Sequence, residues 1–263
     1  MLSLSSVGEV VSALASAPDV AVEAYTLHGP VLRAVEAAAR RGARVTVALD
    51  GLPHNDPNGR LAAENRRLAG ELRTAGAVVS LGEPVHAKTI RAGGTLYLDE
   101  KNWGRGDLVV REDDAAAARA IPMIKHEALA REAAVLDAAP KDAGVIVESE
   151  SFGCCNAVYG RLGALARAGA APRLLVSERE LRGNAREREV LERLVNEGTQ
   201  VRVCSDSEKL AVAGDRAWLG SANATVAFGT SDCIDWGIRT ADAAIVQAVR
   251  DRLEAQWGRA KPL

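Results

Sequence analysis

Two stretches of the chain, 121 positions apart, repeat the same pattern of chemically active residues. The first runs from His86 to Asn102 and the second from Ser207 to Asn223. In each stretch a lysine follows the leading residue by two positions and an asparagine follows it by 16. An apolar run and a glycine turn lie between the lysine and the asparagine. A single repeat with so long a period predicts a duplicated fold rather than a solenoid of short units.

Hydrophobic periodicity predicts the same order of elements in both halves of the chain. Residues 1–17 carry the pattern of an amphipathic first helix. The first half is expected to hold strands at 20–25, 44–49, 77–81, 86–91, 95–98 and 107–110, with helices at 31–41, 59–75 and 114–138. The second half is expected to hold strands at 145–150, 173–177, 200–204, 209–213, 217–219 and 235–239, with helices at 157–168, 185–196 and 241–257.

The turn-forming segment Ala139-Pro140-Lys141-Asp142 is the natural joint between the two halves. We therefore predict an N-terminal half at 1–138 and a C-terminal half at 143–263. Because strands and helices alternate, each half is expected to form a mixed sheet covered by helices. The predicted fold class is α/β: a duplicated α/β/α sandwich of two similar halves with mixed sheets, related by a pseudo-two-fold axis.

The composition of the chain restricts the classes of partner and the cell compartment that are expected for it. The formal net charge is -2 and aromatic residues make up 3% of the chain, which disfavours an extended nucleic-acid track without excluding nucleic acid. No apolar run is long enough to span a membrane. The cysteines, at 154, 155, 204 and 233, lack the C-x-x-C spacing of a zinc or redox site, and Cys204 is expected to be buried on a strand. Reduced thiols and the absence of a basic N-terminal leader favour the cytoplasm.

The repeated residues suit phosphodiester chemistry. Cleavage of a phosphodiester without a metal needs a nucleophile, a proton donor for the leaving oxygen, and cationic or N–H donors around the phosphoryl oxygens. If His86 and Lys88 lie on one strand, their side chains point to the same face. The asparagine amide and a serine hydroxyl after a glycine turn can add neutral donors. Two copies would place two lysines and two asparagines around one anion.

At these residues the chain resembles the phospholipase D superfamily, whose signature is H-x-K-x(4)-D followed by G-S-x-N, normally present twice. The resemblance covers nearly the whole chain. It implies that His86 is the nucleophile, that Lys88 and Lys209 are the phosphate-binding lysines, and that no cofactor or metal is needed. It also implies that the substrate is bound by the remaining motif residues, which are Asn102, Asn223, Ser221 and Ser207. A phosphodiester-containing substrate or ligand is the partner that this family implies.

The chain departs from the signature at several positions. Ser207 stands where the second histidine is expected, and a serine cannot protonate a leaving group near neutral pH. Gly93 and Gly214 occupy the aspartate positions, which removes the expected partner of the imidazole, although Asp215 is a possible displaced substitute. Asp99-Glu100 replaces the first glycine-serine pair and is expected to place two acidic groups at the rim of the anion site.

Other residues offer compensation for these losses. His28 follows the first strand, where loops of α/β sheets face the ligand crevice, and is a candidate substrate-binding residue, while His54 lies in a turn-rich segment that suits a flap. For both histidines the more common alternative is a solvated loop residue without a chemical role. His126 is expected to be a surface or packing residue of a helix. Carboxylates at the strand ends, Glu23, Glu148 and Glu150, either bind a metal or, more commonly, pair with arginines.

Two functional hypotheses follow. In the first, the chain is a diverged phosphodiesterase that cleaves a lipid headgroup, nucleic acid or small phosphodiester through a phosphohistidine on His86. In the second, it is a catalytically inactive pseudoenzyme that uses the same fold as a binding or scaffold module. The survival of His86 together with four phosphate-binding positions favours the enzyme.

Overall fold

The computed structural model describes residues 1–53, 56, 58–82, 84–104, 106–137, 144–225 and 234–263. These residues form two compact units. The first contains Met1–Ile124 together with residues 234–236, and the second contains residues 125–225 together with Gly237–Leu263. The joint predicted at 139–142, as well as His54 and Cys233, lies outside the described residues.

The first unit is built on a mixed sheet. In its described part the strand order is β1-β7-β6-β5-β2-β3-β4, with β2, β3 and β4 parallel and the other pairs antiparallel. The elements along the chain are β1 (Leu2–Ser5), α1 (Val7–Ser16), β2 (Asp19–Ala24), α2 (Gly29–Arg40), β3 (Arg44–Leu49), α3 (Arg60–Thr74), β4 (Val78–Leu81), β5 (Thr89–Ala92), β6 (Thr95–Asp99), β7 (Val109–Glu112), α4 (Ala115–Arg119) and β8 (Pro122–Ile124).

The second unit repeats this plan. Its elements are α5 (Lys125–Asp137), β9 (Val145–Ser149), α6 (Ala157–Arg167), β10 (Arg173–Ser177), α7 (Glu178–Leu181), α8 (Ala185–Asn196), β11 (Gln200–Cys204), β12 (Leu210–Ala213), β13 (Arg216–Gly220), β14 (Ile234–Thr240), α9 (Ala243–Arg259) and β15 (Lys261–Pro262). The described strands run in the order β15-β11-β10-β9-β12-β13-β14-β8. Residues 234–236 of β14 pair with β8, and the remainder pairs with β13.

The two described strand orders match over seven positions when one is read in reverse, with β15 as an additional strand, which confirms the predicted duplicated α/β architecture. Strand β2 corresponds to β9, β5 to β12, β6 to β13 and β7 to β14, and β1 corresponds to β8 at the outer edge of each order. The central strands are buried: β2 alternates buried and more exposed residues, and every residue of β9 is buried. A strand such as β2, in which buried and exposed residues alternate, has one buried face, whereas a continuously buried strand such as β9 is covered on both faces.

Two local predictions were wrong. The N-terminal segment contains the short strand β1 ahead of its helix, since Ser6 caps α1 by accepting a hydrogen bond from the Glu9 N–H and so fixes where the helix begins. The single helix expected over 114–138 is two helices separated by β8. Pro122 explains the break, because proline lacks an N–H and disfavours helical backbone at the residue before it.

No helix in the described ranges combines the length and the apolar character needed to cross a lipid bilayer.

Candidate functional site

His86 is held by a carboxylate that the sequence does not place beside it. Its Nδ1 lies 2.8 Å from Oδ1 of Asp235, a residue of β14 with 1% of its side chain exposed. His86 itself lies in the segment before β5, and its neighbour Ala87 donates its N–H to the carbonyl oxygen of Ile234. The expectation that the imidazole has lost its acidic partner is therefore wrong, because β14 supplies one from 149 residues away.

The aromatic ring of Tyr25 packs against His86. The tyrosine and imidazole rings meet edge to face, with their centroids 5.6 Å apart and their planes at 73°. Lys88 lies on the same tyrosine, with its Nζ 5.6 Å from the ring centroid. The Lys88 Nζ also donates a hydrogen bond of 2.6 Å to the His86 carbonyl oxygen, and 2% of the residue is exposed. One aromatic ring thus contacts both the histidine and the lysine of the first motif.

The strand predicted to carry this motif begins later than expected. β5 starts at Thr89, so His86 and Lys88 precede it, and in the second half Lys209 likewise precedes β12. The lysine is therefore folded back on its own motif rather than projecting from a regular strand.

In the second motif the lysine makes the same contact with the backbone and also forms an ion pair with a carboxylate. Nζ of Lys209 donates a hydrogen bond of 2.9 Å to the Ser207 carbonyl oxygen, as Lys88 does to His86. It also donates to Oε2 of Glu150 at 3.0 Å, and 4% of the lysine side chain is exposed. Glu150 in turn forms an ion pair with Arg179. The prediction that strand-end carboxylates pair with cations holds at this residue.

The two motif asparagines share an uncommon feature. Oδ1 of Asn102 and Oδ1 of Asn223 are both buried without a hydrogen-bond partner among the described residues. An unpaired buried amide oxygen costs free energy, so a repeated instance calls for an explanation such as a ligand or water. Ser221, two residues before Asn223, is fully buried at the end of β13.

Asp99 and Glu100 do not form an acidic rim, contrary to expectation. Both are fully buried. Asp99 accepts a hydrogen bond from the Trp103 N–H through Oδ2, and Glu100 accepts one from the Leu108 N–H at 3.2 Å. Their carboxyl groups thus hold the loop between β6 and β7, in which Trp103 has the left-handed φ of 64°. Burial, followed by the nearby negative charge of Asp107, raises the pKa of Asp99 to about 7.

The glycines at the expected aspartate positions have a structural role. Gly93 and Gly214 lie in the tight turns of the β5–β6 and β12–β13 hairpins, with left-handed φ angles of 58° and 57°. Glycine adopts this conformation without steric cost. Asp215, the possible substitute, has an 89% exposed side chain in the second turn and lies 3.9 Å from Arg216.

Other predicted residues lie at element ends or on the surface. His28 is exposed at the residue before α2, where its side chain makes no capping hydrogen bond. His126 is exposed on α5, and Cys204 is buried at the end of β11, both as expected. In the described part of the chain, no group of three or more histidine, cysteine, aspartate or glutamate side chains is arranged to hold a metal ion.

The architecture matches known structures at low sequence identity. A phosphatidylserine synthase from Haemophilus influenzae Rd KW20 aligns over 100% of this chain and 87% of its own, with a TM-score of 0.67 and 10% identity. A polyphosphate kinase from Porphyromonas gingivalis aligns over 95% of this chain with a TM-score of 0.60 and 15% identity. The chain shares the fold of these two proteins.

The chain spans 48% of the length of the polyphosphate kinase chain. A phospholipase D family member, Nuc from Salmonella typhimurium, aligns with 54% of the chain at a TM-score of 0.47 and 17% identity. No family sequence model and no curated protein sequence matches the chain.

Proposed function

We propose that the chain is a diverged phospholipase D-like phosphodiesterase in which His86 attacks the phosphorus of a phosphodiester. The observation that carries this proposal is the 2.8 Å contact between Nδ1 of His86 and the buried Asp235 carboxylate. A carboxylate on one ring nitrogen orients the imidazole and stabilises the positive charge that develops during attack by the other. A solvated histidine with no chemical role does not need such a partner.

The covalent step follows from this geometry. Nε2 of His86 forms a bond to phosphorus, while the bond from phosphorus to the leaving oxygen breaks and its electron pair goes to that oxygen. The leaving oxygen takes a proton from solvent to become an alcohol. Water then attacks the phosphohistidine, losing one proton to the medium, and releases a phosphomonoester. Lys88 and the Asn102 amide are the groups of this half that are suited to stabilise the phosphoryl oxygens.

Ser207 limits which leaving groups suit such a site. General acid catalysis contributes about 10²–10⁴-fold to rates of this kind, and a serine cannot supply it. Diesters whose leaving alcohol is acidic, such as nitrophenyl esters, depend least on that proton. We therefore expect such a site to cleave phosphodiesters with acidic leaving alcohols fastest. Lipid headgroups, nucleic acids and other diesters with less acidic leaving alcohols are expected to react more slowly.

Trapping of the covalent intermediate tests the proposal. The wild-type chain, mixed with bis(p-nitrophenyl) phosphate and quenched in alkali, is expected to carry an acid-labile phosphoryl adduct on His86, identified by mass spectrometry. His86→Ala is expected to abolish both the adduct and nitrophenol release. His126→Ala, which removes an exposed histidine of α5, is the matched control and is expected to retain both. Equal turnover by wild type and His86→Ala would overturn the mechanism.

A second candidate function is a phosphate-binding pseudoenzyme that acts as a binding or scaffold module. It is favoured by Ser207 at the second histidine position and by the ion pair that occupies Lys209. For this candidate, phosphodiester binding without adduct or turnover is the expected result of the same experiment.

A further inference from the structure

The strand register makes Tyr25 and Glu150 equivalent positions of the two halves. In the first half, Glu23 of β2 lies opposite Thr89, the residue after Lys88. In the second half, Glu148 of β9 lies opposite Leu210, the residue after Lys209. Tyr25 and Glu150 each follow these glutamates by two residues. The same place beside the motif lysine therefore holds an aromatic ring in one half and a carboxylate in the other.

The carboxylate changes what the second lysine can do. Lys209 and Glu150 are 3.0 Å apart, in a pair whose side chains are 4% and 17% exposed. Such burial limits screening by water, so the pair is stronger than an exposed surface ion pair. Arg179 contacts the same carboxylate from the solvent side and is itself 73% exposed. Arg179 and Lys209 thus both form ion pairs with Glu150.

We propose that Glu150 is a specificity-determining residue whose carboxylate occupies the anion position of the second half. Its oxygen takes the hydrogen bond from Lys209 that a phosphoryl oxygen would otherwise take. This inference rests on the proposed function only in assigning Lys209 to the phosphate-binding positions. The consequence is selection by charge, because the Coulomb repulsion between Glu150 and a bound phosphate grows with the charge of that phosphate.

The ligand class follows from this charge. A phosphodiester carries one negative charge, whereas inorganic phosphate and phosphomonoesters approach two near neutral pH. Glu150 therefore disfavours monoesters and inorganic phosphate more than it disfavours diesters.

Binding of two unreactive anions to Glu150→Gln tests the inference. Glutamine keeps the size of the side chain and removes its charge, which releases Lys209 for a charge-assisted hydrogen bond. Titration calorimetry is expected to show inorganic phosphate binding about tenfold tighter than to the wild type. The gain for dimethyl phosphate, a singly charged diester, is expected to be clearly smaller. Both titrations are made at matched ionic strength, since salt screens the effect.

Glu180→Gln is the matched control. Glu180 also pairs with Arg179, at 2.9 Å, but makes no ion pair with Lys209 in the described structure. This variant is expected to bind both anions as the wild type does. The double variant Glu150→Gln/Lys209→Met is expected to lose the gain, because the lysine that makes the new contact is absent.

Two outcomes would overturn the inference: unchanged phosphate affinity in a folded Glu150→Gln, or a gain that persists without Lys209. If Glu150→Gln folds poorly, Glu150→Tyr replaces it with the same expected results, because the first half has Tyr25 at the equivalent position beside Lys88. The readout is independent of turnover. A missing adduct on His86 therefore refutes the phosphohistidine mechanism alone, while unchanged phosphate binding refutes the role of Glu150 alone.

Discussion

Replacing Asp235 by asparagine tests whether the His86 contact serves catalysis. The Nδ1–Oδ1 distance of 2.8 Å lies in the charge-assisted range, and the carboxylate is 1% exposed while the imidazole is 23% exposed. A bond of this kind contributes about 2 kcal/mol, which corresponds to about 30-fold in rate. Because the positive charge on the ring grows during attack, we expect this loss in kcat rather than in KM.

Comparing asparagine with alanine at position 235 separates the loss of the hydrogen bond from a change in the tautomer of His86. Asparagine can donate an N–H to Nδ1 and move the ring proton to the attacking Nε2, which in a serine protease costs about 10⁴-fold. Alanine cannot donate, so Asp235→Ala is expected to lose only the roughly 30-fold in kcat of the missing hydrogen bond, and Asp235→Asn is expected to lose more than that. Nitrophenol release under steady-state conditions measures both variants, with Asp215→Asn, in the exposed hairpin turn, as the control. A folded Asp235→Asn with kcat within about twofold of wild type would refute a positioning role for this residue.

Further predictions concern stability. Burial raises the pKa of Glu132 to about 8 from its usual 4.5, so the stability that its neutral form gives is complete below about pH 4.5 and lost as pH rises through about 8. Urea titrations of Glu132→Gln should therefore show a loss of unfolding free energy between about pH 5 and pH 8 that is smaller than that of the wild type by about 3 kcal/mol. Parallel pH profiles for the two proteins would contradict this. A Cβ at Gly237 would lie 2.1 Å from Cη2 of the buried Trp218, so Gly237→Ala should destabilise the chain by about 3 kcal/mol in urea. Gly70→Ala in α3, where a Cβ has nothing within 4 Å, is the control and should stabilise by up to about 1 kcal/mol.

The repeat spacing predicted the duplicated architecture because a hairpin and its flanking strands keep their spacing when side chains diverge. His86 and Ser207 both precede a strand that forms the hairpin with Gly93 or Gly214 at its turn. The contact between Asp235 and His86 could not be predicted from the repeat, because the two residues are 149 positions apart and no local pattern links them. Only the strand pairing of the folded chain brings the two residues together.

The misplacement of Asp99 and Glu100 has a different cause. A sequence shows that two carboxylates replace a glycine and a serine, but it does not show whether they meet solvent or backbone N–H groups. Here Trp103, which has a left-handed φ, donates its N–H to the Asp99 carboxylate. The loop therefore uses a hydrogen-bond acceptor at the position where the second half has Gly220. The acids at this position therefore hold one loop in place rather than form the rim of an anion site.

The differences between the halves fall into a consistent pattern when the equivalent positions are compared. His86 with its carboxylate partner stands opposite Ser207, and Tyr25 beside Lys88 stands opposite Glu150 beside Lys209. A buried lysine without an anion is costly, and Glu150 supplies that anion for Lys209 within its own unit. Under the two proposals, His86 carries the chemistry in the first unit, and Glu150 restricts the charge of the anions that Lys209 of the second unit binds.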